Sequence, residues 1–161
     1  MPLYEVSIVP LDAIPEAPYE TPSEDLHRMC CTAKGMESLC LKLHGMGLAA
    51  AQVGLPWRMF VFRDEESRFQ CYFDCEYCPS GSKSTSVEGC LSLPGEHYKV
   101  DRYEKVMVKG MRIVETSGET SAEPFEREYS GVMAVLMQHE IDHDHGRERM
   151  IDKIGTRVFV G

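Results

Sequence analysis

Gly131-Val132-Met133-Ala134-Val135-Leu136-Met137-Gln138-His139-Glu140-Ile141-Asp142-His143 reads as a helix with almost no polar face. A helix of that kind belongs in a protein interior. Its last turns nevertheless carry His139, Glu140, Asp142 and His143. Burying such groups without partners is costly, so the pattern asks for a bound cation. Residues at i and i+4 share a helix face, with Cβ atoms about 5–6 Å apart. His139 and His143 can therefore reach one metal ion. Glu140 adjoins the first of them, where it can take a proton from a metal-polarised water. The bland alternative is a surface helix with chance histidines, since HExxH specifies only three residues. The apolar remainder of the helix argues against it.

Two histidines leave a catalytic site incomplete. The extended pattern HExxHxxGxxH matches through Gly146, but Arg149 stands where the third histidine would be. Asp144, His145, Glu148 and Asp152 are downstream candidates. Only 18 residues follow His143, too few for a second helix delivering a distant glutamate. The third ligand is expected upstream. Glu88-Gly89-Cys90-Leu91-Ser92 is the strongest candidate, because it pairs a thiol with a glycine that permits close backbone approach. Otherwise Cys90 is a small core residue, the usual role of a free cysteine. Gly45-Met46-Gly47-Leu48-Ala49-Ala50-Ala51-Gln52 is a third segment of interest. Its small residues alone could simply allow tight packing, with Gln52 in a turn hydrogen bond.

Upstream of these segments, residues 1–22 carry five prolines and read as an extended arm. Ser23 is the expected N-cap of an amphipathic helix over residues 24–44, interrupted weakly by Gly35 and stopped by Gly45. Arg58–Arg63 and Phe69–Tyr77 read as strands around the turn 64–67. Pro79–Ser86 reads as a loop by composition. Tyr103–Glu115 and Phe125–Tyr129 read as strands either side of Ser117-Gly118. The expected fold is α+β: antiparallel strands packed around a buried central helix carrying HExxH, with an N-terminal helix, in a single domain over residues 1–161.

The apolar (43%) and charged (27%) fractions are those of a soluble globular protein. A net charge of −9 argues against a nucleic-acid backbone or an anionic membrane as the main partner. The locally basic stretch Lys99–Lys109 carries Asp101 and Glu104 too. No apolar run approaches the roughly 18 residues that span a bilayer, and the first residues show no secretory pattern. Seven cysteines, an odd number, suit a reducing cytoplasm better than a disulfide framework. Cys75-Glu76-Tyr77-Cys78 is a CxxC, but a structural zinc reading needs a second ligand pair. The two thiols also differ by three in a predicted strand and point to opposite faces.

The three segments together resemble the peptide deformylase family in order and spacing. That family carries GxGxAAxQ, EGCxS and QHExDH, complete here as Gly45–Gln52, Glu88–Ser92 and Gln138–His143. The likeness covers roughly residues 40–145. It implies that Cys90, His139 and His143 bind a divalent ion, Fe²⁺ in most members, with Zn²⁺, Ni²⁺ or Co²⁺ able to substitute. It also implies that Glu140 moves the proton, and that Gln52 and the Leu91 N–H stabilise the oxyanion. The implied substrate is the N-formyl-methionyl end of a new polypeptide, cleaved to formate and a free amine. A monomer making transient ribosome contact is expected, in a bacterial cytoplasm or encoded by a phage. Departures are Asp74-Cys75 where the family often has Asn-Pro, and Asp144 where a leucine usually stands. Arg147-Glu148-Arg149 replaces an apolar stretch, and a tail such as Lys153–Gly161 takes the place of a long C-terminal helix.

Val132, Val135 and Leu136 lie seven, four and three residues before His139, on the ligand face. With Met46 they are expected to line an apolar methionine pocket, plain core packing being the alternative. Gly47, Glu88 and Gly89 complete the expected substrate-binding set. Glu88 and Asp142 need a cationic partner if buried. Arg102 is the nearest candidate, and the resemblance places an arginine there; a solvated arginine is the alternative. Of rival functions, a zinc endopeptidase explains HExxH but not the other two motifs.

Overall fold

The computed structural model describes residues 3–159. The N-terminal arm runs extended apart from one 3-10 turn at Leu11–Ala13. It is tied down by Tyr4 N–H donating to the Cys31 carbonyl and Val9 N–H to the Gln52 carbonyl, both at 3.0 Å. The arm crosses helix α1 (Leu26–Lys42) at Gly35, where any Cβ would collide with the Tyr4 carbonyl. Gly35 is thus a crossing point rather than a weak spot in the helix.

Both ends of α1 differ from expectation. Asp25, not Ser23, is the N-cap, its Oδ1 accepting from Arg28 N–H at 3.1 Å. The chain reverses at His44, with φ of 57°, while Gly45 N–H returns to the Cys40 carbonyl at 2.9 Å. Gly45 serves a different end: a Cβ there would stand 2.8 Å from Leu91 Cδ1, against the loop bearing Cys90.

The strands are β1 (Gly47–Ala49), β2 (Met59–Arg63), β3 (Phe69–Cys90), β4 (Leu93–Thr116), β5 (Glu119–Ser130) and β6 (Thr156–Val158). They form one antiparallel sheet in the order β1-β2-β3-β4-β5, with β6 also pairing with β4. Strand β2 is apolar without alternation because both its faces are covered. Phe60 and Phe62 pack with Met133, Met137 and Ile141 of helix α2 (Gly131–His143). Met59 and Val61 pack with Met29 and Met36 of α1.

Pro79–Ser86, expected as a loop, is strand. It continues β3 against β4, with irregularities between Phe73 and Glu76 and between Ser80 and Lys83. Ladder hydrogen bonds need no apolar side chains, so an exposed polar ribbon looks like a loop in composition. Pro79 lies between the two irregularities, where a missing N–H is tolerated. Cys75 is buried and Cys78 exposed, on opposite sides of this strand.

The C-terminal residues are more ordered than a tail. After helix α3 (Ile151–Ile154), β6 pairs with His97–Lys99 and so braces β4 where it faces the Glu88 segment. Val160 and Gly161 of the expected tail lie outside the described residues. No helix among the described residues is long and apolar enough to cross a membrane.

Candidate metal centre

Three elements bring their side chains to one point. Helix α2 presents His139 and His143, with ring centroids 5.0 Å apart. The β3–β4 turn presents Cys90, whose Sγ lies 3.5 Å from His143 Nε2. One ligand atom from each of the three lies within 4.8 Å of the others, a cluster of the size that holds one ion.

The helix is held in register by a remote clamp. Gln138 accepts from Tyr103 N–H and donates to the Tyr103 carbonyl, both at 2.9 Å. His139 Nδ1 is 2.9 Å from Glu88 Oε1, which orients its other nitrogen toward Cys90. Arg102, only 3% exposed, donates to both Glu88 oxygens at 2.8 Å and to Asp142 Oδ2 at 2.7 Å. Arg102 is therefore the buried partner, not a solvated arginine. Asp142 also accepts from Tyr77 and Arg149. The Gln138 clamp and the Tyr77 contact were not anticipated from the sequence, because each joins segments remote along the chain; the Arg149 contact, seven residues from Asp142, was missed because it depends on how the chain turns after the helix.

The electrostatics follow from these contacts. Burial would raise the Glu88 carboxyl, but hydrogen bonds from Arg102 and His139 outweigh it and hold the pKa at about 2. Burial disfavours charge on both imidazoles. At His139 the contacts to Cys90 and Glu88 reverse this, holding it at about 10, while at His143 burial and the positive charge of His139 keep the pKa well below 6.5. The proton that His139 carries is what a cation displaces on binding. Burial pushes Glu140 up to about 7, with the charge of His139 offsetting part of the rise. Its Oε1 is buried with no hydrogen-bond partner among the described residues. One sulfur and two imidazole nitrogens, with this orphaned carboxylate beside them, fit a divalent transition ion.

Gln52 is fixed by its Oε1, which accepts from Ala49 N–H at 3.0 Å. Its Nε2 donates to Ser92 Oγ at 3.0 Å and faces Cys90 Sγ at 3.4 Å. Gly47 packs against the general-base candidate: a Cβ there would stand 2.5 Å from Glu140 Oε2. Gly47→Ala is expected to shift that carboxylate and lower kcat roughly tenfold or more, since small misplacements are costly. Metal content should stay at the wild-type level; equal kcat for both proteins would show that the carboxylate has room to move.

A cleft of about 750 Å³ opens over this centre. Gln52, Glu88, Gly89, Cys90, Leu91, His139 and Glu140 line it, as do Met46, Gly47, Val132, Val135 and Leu136. Val135 and Leu136 are half-buried within it, whereas Val132 is 77% exposed and Met46 52% exposed, so both lie at the mouth. Leu43, Val87 and His97 line the cleft too and were missed from the sequence. Asp144, next to His143, is buried with neither oxygen paired among the described residues, and burial pushes its carboxyl well above the usual range. An apolar residue would suit that place better, as the family's usual leucine does.

A thiol and two histidines beside a buried carboxylate, on an antiparallel α+β frame, define a metallohydrolase type of site. The polypeptide deformylase family model matches residues 13–157, and the chain belongs to that family. It is 36% identical over 118 residues to peptide deformylase of Helicobacter pylori strain G27, covering 69% of this chain and 64% of that relative. The matched segment thus spans just under two thirds of that relative's length. Peptide deformylase of Alkalilimnicola ehrlichii is 34% identical over 134 residues, covering 81% of this chain and 70% of the relative. The crystal structure of a peptide deformylase from Legionella pneumophila superposes with a TM-score of 0.73 at 28% identity, covering 94% of this chain and 86% of that one. Deformylases are metalloenzymes, and among the described residues Cys90, His139 and His143 form a cluster that could hold an ion.

Proposed function

We propose that this protein is a peptide deformylase, hydrolysing the formamide of N-formyl-methionyl polypeptides to formate and a free amine, in one catalytic domain. The observation that carries it is the meeting of Cys90, His139 and His143 in one ligand cluster, with Cys90, His139 and Glu140 lining an apolar-walled cleft. Fe²⁺ is the proposed ion, held by Cys90, His139 and His143. When bound, such an ion supplies Lewis acidity that makes a water acidic near neutral pH.

The chain's own residues do the rest. Glu140, raised toward neutrality by burial, accepts the proton of the attacking water and delivers it to the leaving nitrogen. The Leu91 N–H and the Gln52 amide donate to the formyl oxygen as it gains charge. For Gln52 this means giving up the contact to Cys90 Sγ while keeping that to Ser92. Val135 and Leu136 hold the methionine side chain, with Val132 and Met46 covering it at the mouth. Glu88 orients His139 and binds no substrate in this reading, a revision of its expected place in the substrate-binding set.

Formate release from formyl-Met-Ala by the iron-loaded protein under exclusion of oxygen tests the activity. Cleavage of long unformylated peptides without formate release would favour an endopeptidase instead. Cys90→Ser tests the ligand set. Changing a residue that only orients a ligand typically costs about 10–100-fold in metal affinity, so replacing thiolate by hydroxyl should cost at least that or change the preferred ion. Unchanged metal content and preference by elemental analysis would remove Cys90 from the site.

A further inference from the structure

In the basic stretch beginning at Lys99, the metal centre uses Arg102 and the Tyr103 backbone but leaves Lys99 without a role, and the stretch borders a gap in the sheet. Strand β5 leaves β4 at the pair Lys105–Ser130, and β6 joins β4 only at Lys99–Thr156. Among the described residues, 100–104 of β4 have no strand beside them on that side. A cleft of about 610 Å³ occupies the gap, behind α2 and away from the substrate cleft. Gln138 closes one end by pairing with the Tyr103 backbone. Thr85–Asp101 lies two residues from Lys83–Tyr103 in the same unbroken register. Backbone groups repeat their direction every second residue along a strand. The Asp101 N–H therefore turns, like that of Tyr103, into the gap.

Cations face this cleft from three segments: Lys83 on β3, Lys99 on β4 and Arg149 beyond α2. Two are held in place. Lys83 Nζ sits 4.8 Å from the Tyr103 ring centroid, and Arg149 is anchored to Asp142 at 2.7 Å. Lysine ion pairs among the described residues involve Lys34 and Lys109, not Lys83 or Lys99. Arg102 and Arg149 in this cleft are already paired, with Asp142 there and with Glu88, which lines the substrate cleft. The lining is left with Lys83 and Lys99 against Asp101. That is a local positive excess on a chain of net charge −9.

We propose that this gap is an anion site for a phosphate group. A tetrahedral oxyanion offers enough oxygens to meet Lys83, Lys99, the outer edge of Arg149 and a backbone N–H together, where a carboxylate offers two. The site is separate from the proposed deformylase reaction, and its test does not depend on turnover.

Inorganic phosphate is titrated into the zinc-loaded protein, followed by calorimetry and phosphorus NMR, with acetate as the comparison anion. Saturable binding of phosphate and not acetate is expected. Lys83→Glu/Lys99→Glu should weaken it by roughly tenfold or more at unchanged melting temperature and metal content. The control Lys42→Glu/Lys109→Glu, equal in charge change but elsewhere, should bind as the wild type does. Arg149→Gln gives a second, independent variant with the same expected direction. Equal affinity in all variants, or equal loss in the control, would overturn the proposal; phosphate held at the zinc alone gives the first of these. A short single-stranded RNA separates the sources of the group. RNA binding that phosphate competes away, steeply weakened by salt, points to a phosphodiester; phosphate binding without RNA binding points to a free anion.

Discussion

Glu140→Gln is expected to keep full metal content and to lower kcat by roughly 10²–10⁴-fold, the usual worth of a positioned general base. The substitution preserves size and the packing against Gly47, and removes only the proton-accepting oxygen. The orphaned Oε1 of Glu140 is the group aimed at nothing else in the protein among the described residues. Because the carboxylate is the active form, the wild-type rate should fall as pH drops through the Glu140 pKa, and that acid limb should vanish in the variant. A variant that retains more than a few per cent of the wild-type rate would show that the proton moves by another route. Elemental analysis alongside the kinetics separates loss of the base from loss of the ion.

Arg102→Ala is expected to destabilise the fold by about 3–5 kcal/mol and to loosen the metal. Removing one member of a buried ion pair costs most of its partner's compensation, and here two carboxylates lose it at once: Glu88 is left with His139 alone, and Asp142 with Tyr77 and the half-exposed Arg149. The metal suffers because Glu88 orients His139. The effect has a pH signature. Glu88 is held at about 2 in the folded protein against about 4.5 in the unfolded chain. A depressed carboxyl contributes stability fully above the unfolded value and loses it as pH falls through the folded one. The stability gap between wild type and variant should therefore narrow between about pH 4.5 and pH 2. Arg102→Lys should rescue little, since an ammonium lacks the planar fork that meets both Glu88 oxygens and Asp142 together. Denaturation of the metal-loaded proteins measures this; a wild-type melting temperature for Arg102→Ala would contradict the buried pair.

Much of the centre was readable because metal chemistry constrains spacing. His139 and His143 must share a helix face, and nothing except a ligand or a core explains ionisable groups on so apolar a helix. Cys90 was harder, since elimination of downstream ligands and the resemblance had to stand in for a distance. Arg102 lay beyond this kind of reasoning. Whether an arginine among Lys99–Lys109 is solvated or buried depends on what β4 meets, and its partners sit 14 and 40 residues away. The proposed methionine pocket divides the same way. Val132, Val135 and Leu136 share a helix face by periodicity, but only the packing of β1 and the Cys90 turn leaves Val132 at the mouth.

By itself the sequence determined what local composition and pattern mark strongly: the apolar helix α2 to its last residue, the periodic body of α1, the short apolar run of β2 and the turn at Ser117-Gly118. It also supplied the candidate ligands and the proposed base, because such residues are chosen for their atoms rather than their surroundings. Tertiary structure decided the polar half of β3, the brace of β6, the clamp of Gln138 and the cleft between β5 and β6. These rest on backbone hydrogen bonds and desolvated charges between segments far apart in the chain. Such interactions leave no periodic trace in either segment, since each is completed only when folding brings its partner within about 3 Å.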